Sequence, residues 1–271
     1  MPVIHDQPTP YPDVNFMLSE VFKSVRAVLG NNFTGMYLDG SLVNGDFDQD
    51  SDIDFVVVTE DEIPEATFLE LQTMHDRLAK IDSPWAIQLE GSYLSKRAIR
   101  RFDPAYTLYP NIERGSGERL KIADHDKVWD THRYILRKKG LALAGPAPET
   151  LIDPVMPMQL RQAMQSILPG WATYMLNHPD QIKIRGYQSY IVLTVCRILY
   201  TLHHGTVVSK PTAARWVQQN LGERWDALIE SAWVGRHNSD MQPLPEDMNG
   251  TQEFIRFALE HGRQVSPGSV V

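Results

Sequence analysis

The chain has 271 residues, 42% of them apolar and 22% charged, which excludes a disordered, collagen-like or coiled-coil protein and allows one large domain or two modest ones. Its 34 acidic residues outweigh 26 basic ones to give a net charge of −8, which disfavours non-specific nucleic-acid binding and suits a cationic ligand. A single cysteine, Cys196, excludes intrachain disulfides and a thiolate metal cluster, and its apolar neighbours predict a buried thiol.

Residues 1–12 carry four prolines and lack the basic start and apolar stretch of a secretory signal. The longest apolar run, 191–196, is interrupted by Thr194 and falls far short of the roughly 20 residues of a membrane span. A cytoplasmic protein without membrane partners is expected.

From Asp13, the apolar residues Met17, Val21, Val25 and Val28 recur at helical spacing and stop at Gly30 and Asn31. Short strands are predicted over 36–38, ending at Gly40-Ser41, and over 52–58, whose end is apolar and β-branched. Pro64 opens a helix carrying Phe68, Leu71, Met74 and Leu78, and a third strand is predicted over 85–90. Residues 111–126 give no clear periodicity, although Arg114-Gly115-Ser116-Gly117-Glu118 has the composition of a hairpin tip. Arg133, Arg137, Lys138 and Lys139 predict the solvated, basic end of a helix.

After Gly145-Pro146-Ala147-Pro148 the pattern becomes helical. Its centre is an apolar helix over 187–202 closed by Gly205, followed by a helix capped by Ser209 with Lys210 and Pro211 in its first turn. The fold class predicted is therefore α+β: an N-terminal domain over 1–145, a mixed sheet with helices, followed by a C-terminal α-helical bundle over 146–271.

The chemistry concentrates between Gly40 and Asp54, where aspartates occupy positions 46, 48, 50, 52 and 54. Asp52 and Asp54, at i and i+2 where a strand begins, project from one face and suit one or two Mg²⁺ ions. Gly40 and Ser41, leaving the preceding strand, offer backbone N–H groups and a hydroxyl to a phosphate. A calcium loop starting at Asp46 fails at its sixth position, Ser51, and at its twelfth, Val57. A merely solvated acidic loop is the other alternative. If the third strand pairs beside these carboxylates, Glu90 is placed to take a proton from an attacking hydroxyl.

Gly40-Ser41 followed by Ser51-Asp52-Ile53-Asp54-Phe55-Val56 resembles the signature of the DNA polymerase β-like nucleotidyltransferase superfamily. The stretches 143–146, 152–155, 192–200 and 208–216 are similar to the C-terminal domain of the aminoglycoside adenylyltransferases of streptomycin and spectinomycin type. The resemblance implies transfer of AMP from ATP to a hydroxyl of an aminoglycoside or aminocyclitol antibiotic, in a cleft between the two domains, with release of pyrophosphate. It implies Asp52, Asp54 and Glu90 as ligands of two Mg²⁺ ions, Glu90 as catalytic base, and Gly40, Ser41, Arg197 and Lys210 as nucleotide contacts.

Trp129, Asp180 and Tyr187 are the expected acceptor contacts. The chain departs from the streptomycin-modifying members at Gly117-Glu118-Arg119-Leu120-Lys121 and at 177–185, where their aromatic contacts are missing. The acceptor is thus left open between an antibiotic and another small-molecule or protein hydroxyl, with a nucleotide-binding regulatory protein as the non-enzymatic alternative. A monomer that binds no nucleic acid is expected. The adjacent His203 and His204 point about 100° apart on a helix and argue against zinc.

Overall fold

The computed structural model describes residues 7–239, 241–242 and 244–264, so the first six residues of the proline-bearing N-terminal stretch lie outside it. Two compact units divide the chain between Pro154 and Val155.

In the first unit, the 3.6-residue apolar repeat builds α1 (Pro12–Leu29), which buries Val14, Met17, Leu18, Val21 and Val25. It leads into β1 (Phe33–Leu38), α2 (Gly40–Asn44), β2 (Ile53–Thr59), α3 (Glu65–Leu78), β3 (Leu89–Ser95), α4 (Lys96–Arg100), β4 (Leu108–Ile112), β5 (Lys121–Asp124), α5 (Trp129–Lys139), β6 (Leu141–Ala144) and α6 (Pro148–Leu151). The sheet runs β5-β4-β3-β2-β1-β6. Strands β2 and β3 are parallel, with α3 as their crossover, and the other pairings are antiparallel.

Both faces of the central strands are covered, which is why β2 reads as a continuous apolar run. Met36, Leu38, Phe55 and Val57 pack with α1 and α3 on one side. Tyr37, Val56 and Val58 pack with Ile99, Leu136 and Ile152 on the other. This second cluster holds 146–154 to the first unit, so the structural division falls beyond the Gly-Pro stretch at 145–148 where the sequence suggested it.

Two expectations are corrected, and one unassigned stretch proves to be the hairpin its composition suggested. The third strand is not 85–90: residues 82–87 form turns, with the Ala86 and Gln88 N–H groups donating to the Ser83 and Trp85 carbonyls, and β3 begins only at Leu89. Glu90 is therefore the second residue of its strand, not the last. The unassigned stretch 111–126 is the hairpin of β4 and β5, whose connection includes Arg114 to Leu120. Arg133 does not share a solvated face with its basic neighbours, since it is completely buried. Its guanidinium donates to the Ala98 and Ile99 carbonyls at 2.7 and 3.1 Å and to Asp130 at 3.1 Å.

The second unit is helical throughout its described residues: α7 (Pro157–Asn177), α8 (Pro179–Ile182), α9 (Arg185–His204), α10 (Lys210–Asn220), α11 (Asp226–Arg236) and α12 (Pro245–Gln264). The apolar α9 lies at its centre, packed by α7, α10, α11 and α12, with Cys196 buried in it as expected. A buried ion pair of 2.6 Å between Arg185 and Asp247 ties α9 to α12. Among the described residues, no helix is long and apolar enough to cross a membrane.

Candidate active site

The site is built where β1 ends and β2 and β3 begin. The Asp39 N–H donates to the Asp54 carbonyl at 3.1 Å, extending the β1–β2 ladder by one residue. Gly40 then turns the chain into α2 with φ of +62°, a left-handed conformation that glycine adopts without steric cost. Any Cβ at Gly40 would overlap the Asp54 carboxylate. Glycine is required here twice over, for its backbone and for its bareness.

The parallel register sets Asp54 directly beside Glu90. Asp52 immediately precedes β2, and one carboxylate oxygen from each of Asp52, Asp54 and Glu90 lies within 4.8 Å of the others. All three are half-buried. Burial, and next the Asp52 charge, push the Glu90 carboxyl up to about 6, while His132 and Arg114 pull it back. Three hard oxygen donors with mutually repelling charge fit a divalent cation such as Mg²⁺, which favours carboxylate oxygens.

The preceding acidic loop has its own local role. Asp48 Oδ1 accepts from the Asp50 N–H at 3.1 Å and from the Ser51 hydroxyl at 2.8 Å, an Asx-type turn that delivers Asp52 to the strand. Ser41 lies in the first turn of α2, its Oγ buried without a hydrogen-bond partner among the described residues.

Sequence reasoning missed two groups beside the cluster. Arg114 reaches from the β4–β5 connection to within 3.6 Å of Asp52 and donates to the Asp50 carbonyl at 3.2 Å. Asp39, with a side chain 4% exposed, meets His132 of α5 at 3.0 Å. The one available signal for Asp39 was an acidic residue at the end of a buried strand, immediately before Gly40.

The remaining expected residues are placed as follows. Arg197 lies half-buried on α9, and Lys210 is the first residue of α10, behind the Ser209 cap. Trp129 is buried, and its indole N–H donates to the Tyr109 hydroxyl at 3.1 Å. Asp180 is highly exposed on α8 and pairs with Lys183 at 2.6 Å. Tyr187 is half-buried on α9 and stacks against Tyr190, with centroids 5.6 Å apart.

Residues 18–101 match the family model of the nucleotidyltransferase domain, and residues 150–261 match that of the aminoglycoside adenylyltransferase C-terminal domain. With the carboxylates held beside the Gly40 turn, these matches define a nucleotidyltransferase. Among curated proteins, a spectinomycin 9-adenylyltransferase of Staphylococcus aureus is 26% identical over 254 residues, covering 89% of this chain and 93% of its own length. An aminoglycoside (3'') (9) adenylyltransferase of Escherichia coli is 26% identical over 255 residues, covering 90% and 93%. The crystal structure of the spectinomycin adenyltransferase AAD(9) from Enterococcus faecialis with ATP and spectinomycin shares the fold, with a TM-score of 0.70 at 16% identity over 92% of this chain and 99% of that one. The chain is thus similar to aminoglycoside adenylyltransferases over most of its length.

Proposed function

We propose that this protein transfers AMP from ATP to a hydroxyl of an aminoglycoside or aminocyclitol antibiotic, with release of pyrophosphate. The observation that carries the reading is the convergence of the Asp52, Asp54 and Glu90 carboxylates beside the Gly40 turn. Mg²⁺ held by these three residues would supply charge neutralisation at the reacting phosphate.

The protein's own groups then have defined tasks. Glu90, with its carboxyl raised to about 6, is ionised at neutral pH yet basic enough to take the proton of the acceptor hydroxyl. The hydroxyl oxygen bonds to the α-phosphorus as the bond to the pyrophosphate oxygen breaks, the two oxygens in line. Gly40 and Ser41 hold the triphosphate, Ser41 through an Oγ that has no hydrogen-bond partner among the described residues. Arg197 and Lys210 offset its charge, a role that rests on the family resemblance. Tyr187, stacked on Tyr190, offers an aromatic surface to the acceptor.

The same transfer onto a different hydroxyl is the second reading. It is favoured by the state of two expected drug contacts: the Trp129 N–H is engaged by Tyr109, and Asp180 pairs with Lys183. Pyrophosphate release measured with ATP, Mg²⁺ and a panel of acceptors separates the two. Release stimulated by spectinomycin supports the first reading; stimulation only by non-antibiotic hydroxyl compounds supports the second; none with any acceptor, for wild type as for Asp52→Ala, overturns both.

A further inference from the structure

Helix α5 brings two basic side chains against the segment 39–44. His132 Nδ1 lies 3.0 Å from Asp39 Oδ2, and Lys139 Nζ donates to Asn44 Oδ1 at 2.8 Å. Seven residues apart, they share one face of the helix, and both remain exposed. Asp39 is their opposite: its side chain is almost wholly buried, and Oδ1 has no partner among the described residues. A buried carboxylate left half-satisfied is costly, so its presence calls for a local benefit.

That benefit is control of His132. The carboxylate fixes Nδ1 as the donor, and the Trp129 ring, with its centroid 4.9 Å away, limits rotation of the imidazole. Nε2 is the edge left for a ligand. The ring is close enough to Glu90 for its charge to act on that carboxyl. Asp39, Asp52, Asp54 and Glu90 crowd negative charge into this corner, and a nucleotide adds more, so a donor placed beside them answers an electrostatic need.

We propose that His132, oriented by Asp39 and Trp129, is a further nucleotide-binding residue that, with a proton on both ring nitrogens, keeps Nδ1–H on Asp39 and donates Nε2–H to a phosphate oxygen of ATP, with Lys139 extending the same cationic edge. The proposal rests on the nucleotidyltransferase reading above. Its test is calorimetric titration of the full chain, with Mg²⁺ present, by ATP, ADP and adenosine.

His132→Ala should weaken ATP and ADP at least tenfold and leave adenosine within twofold. His132→Gln, whose amide nitrogen falls near the position of Nε2, should recover most of that loss, whereas His132→Asn, which mimics Nδ1, should not. Thermal unfolding close to wild type for all three excludes a folding defect. ATP binding by His132→Ala at wild-type strength, or equal loss for adenosine, overturns the proposal alone. A wild-type protein that binds no nucleotide overturns the parent reading and this one with it.

Discussion

Gly40 and Asp54 are in contact so close that the carboxylate of Asp54 occupies the space a side chain on Gly40 would need. The turn that begins α2 and the strand that carries the acids are thereby fixed to each other. Gly40→Ala should displace the Asp54 carboxylate and strain the backbone at a φ of +62°. The expected result is a fall of at least about 100-fold in kcat/KM with a thermal midpoint lowered by only a few degrees, since packing elsewhere is untouched. Steady-state kinetics and a melting curve on the same preparation check both halves.

Glu90→Gln keeps the shape and removes the proton acceptor. A loss of roughly 10²- to 10⁴-fold in kcat is expected, with ATP affinity changed far less. Single-turnover kinetics beside equilibrium nucleotide binding measure the two. A variant that turns over within tenfold of wild type would remove Glu90 from the role of base.

Arg197→Ala and Lys210→Ala should act mainly on binding. Each is expected to raise the dissociation constant for ATP about tenfold, the magnitude of one charge-assisted phosphate contact, while leaving the circular dichroism of the helices unchanged. Unaltered ATP affinity in both variants would leave these cations without the role the resemblance implies.

His75 gives the fold a pH dependence with a defined sign. It is buried, with Nε2 2.7 Å from the Tyr93 hydroxyl, and burial lowers its pKa to about 4 from an ordinary 6.5. The unfolded chain takes up a proton between those values and the folded protein does not, so this contribution is whole above pH 6.5 and is lost as pH falls toward 4. The span is on the order of 3 kcal/mol. Urea unfolding at pH 7.5 and pH 4.5 should show a smaller difference for His75→Gln than for wild type, because glutamine does not titrate.

Arg133 tests a different kind of burial. Its guanidinium holds two carbonyls of 98–99 and Asp130 at once, which a lysine cannot reproduce. Arg133→Met should cost about 3 kcal/mol, because Asp130 keeps a buried charge with no partner, and Arg133→Lys should recover little of it. Chemical denaturation of the two variants is the check.

Much of this was written in the sequence in periodicities that single elements can carry. The helix α1, the apolar β2 and the buried α9 follow from spacing alone, because each buries a face or a full circumference that its own residues define. The site was legible where neighbours in sequence are neighbours in space: Gly40-Ser41 and Asp52-Ile53-Asp54. Glu90 needed the β2–β3 register, which the pattern misplaced because Trp85, Ala86 and Ile87 imitate a strand while Pro84 and the turns around it break one. The pairing of Asp39 with His132 stayed hidden because it depends on α5 folding back over β1, a tertiary relation with no local signal. Arg133 was misread for the same reason: its charge is matched by carbonyls that only the folded chain brings to it.

Adenylyl transfer to a drug is read out by mass spectrometry of spectinomycin and of a panel of aminoglycosides after incubation with the protein, ATP and Mg²⁺, with Glu90→Gln alongside. Wild type should yield an antibiotic heavier by one adenylyl group, and Glu90→Gln should not. Unmodified drugs throughout, from a protein shown to bind ATP, would mean that its acceptor is not one of these antibiotics.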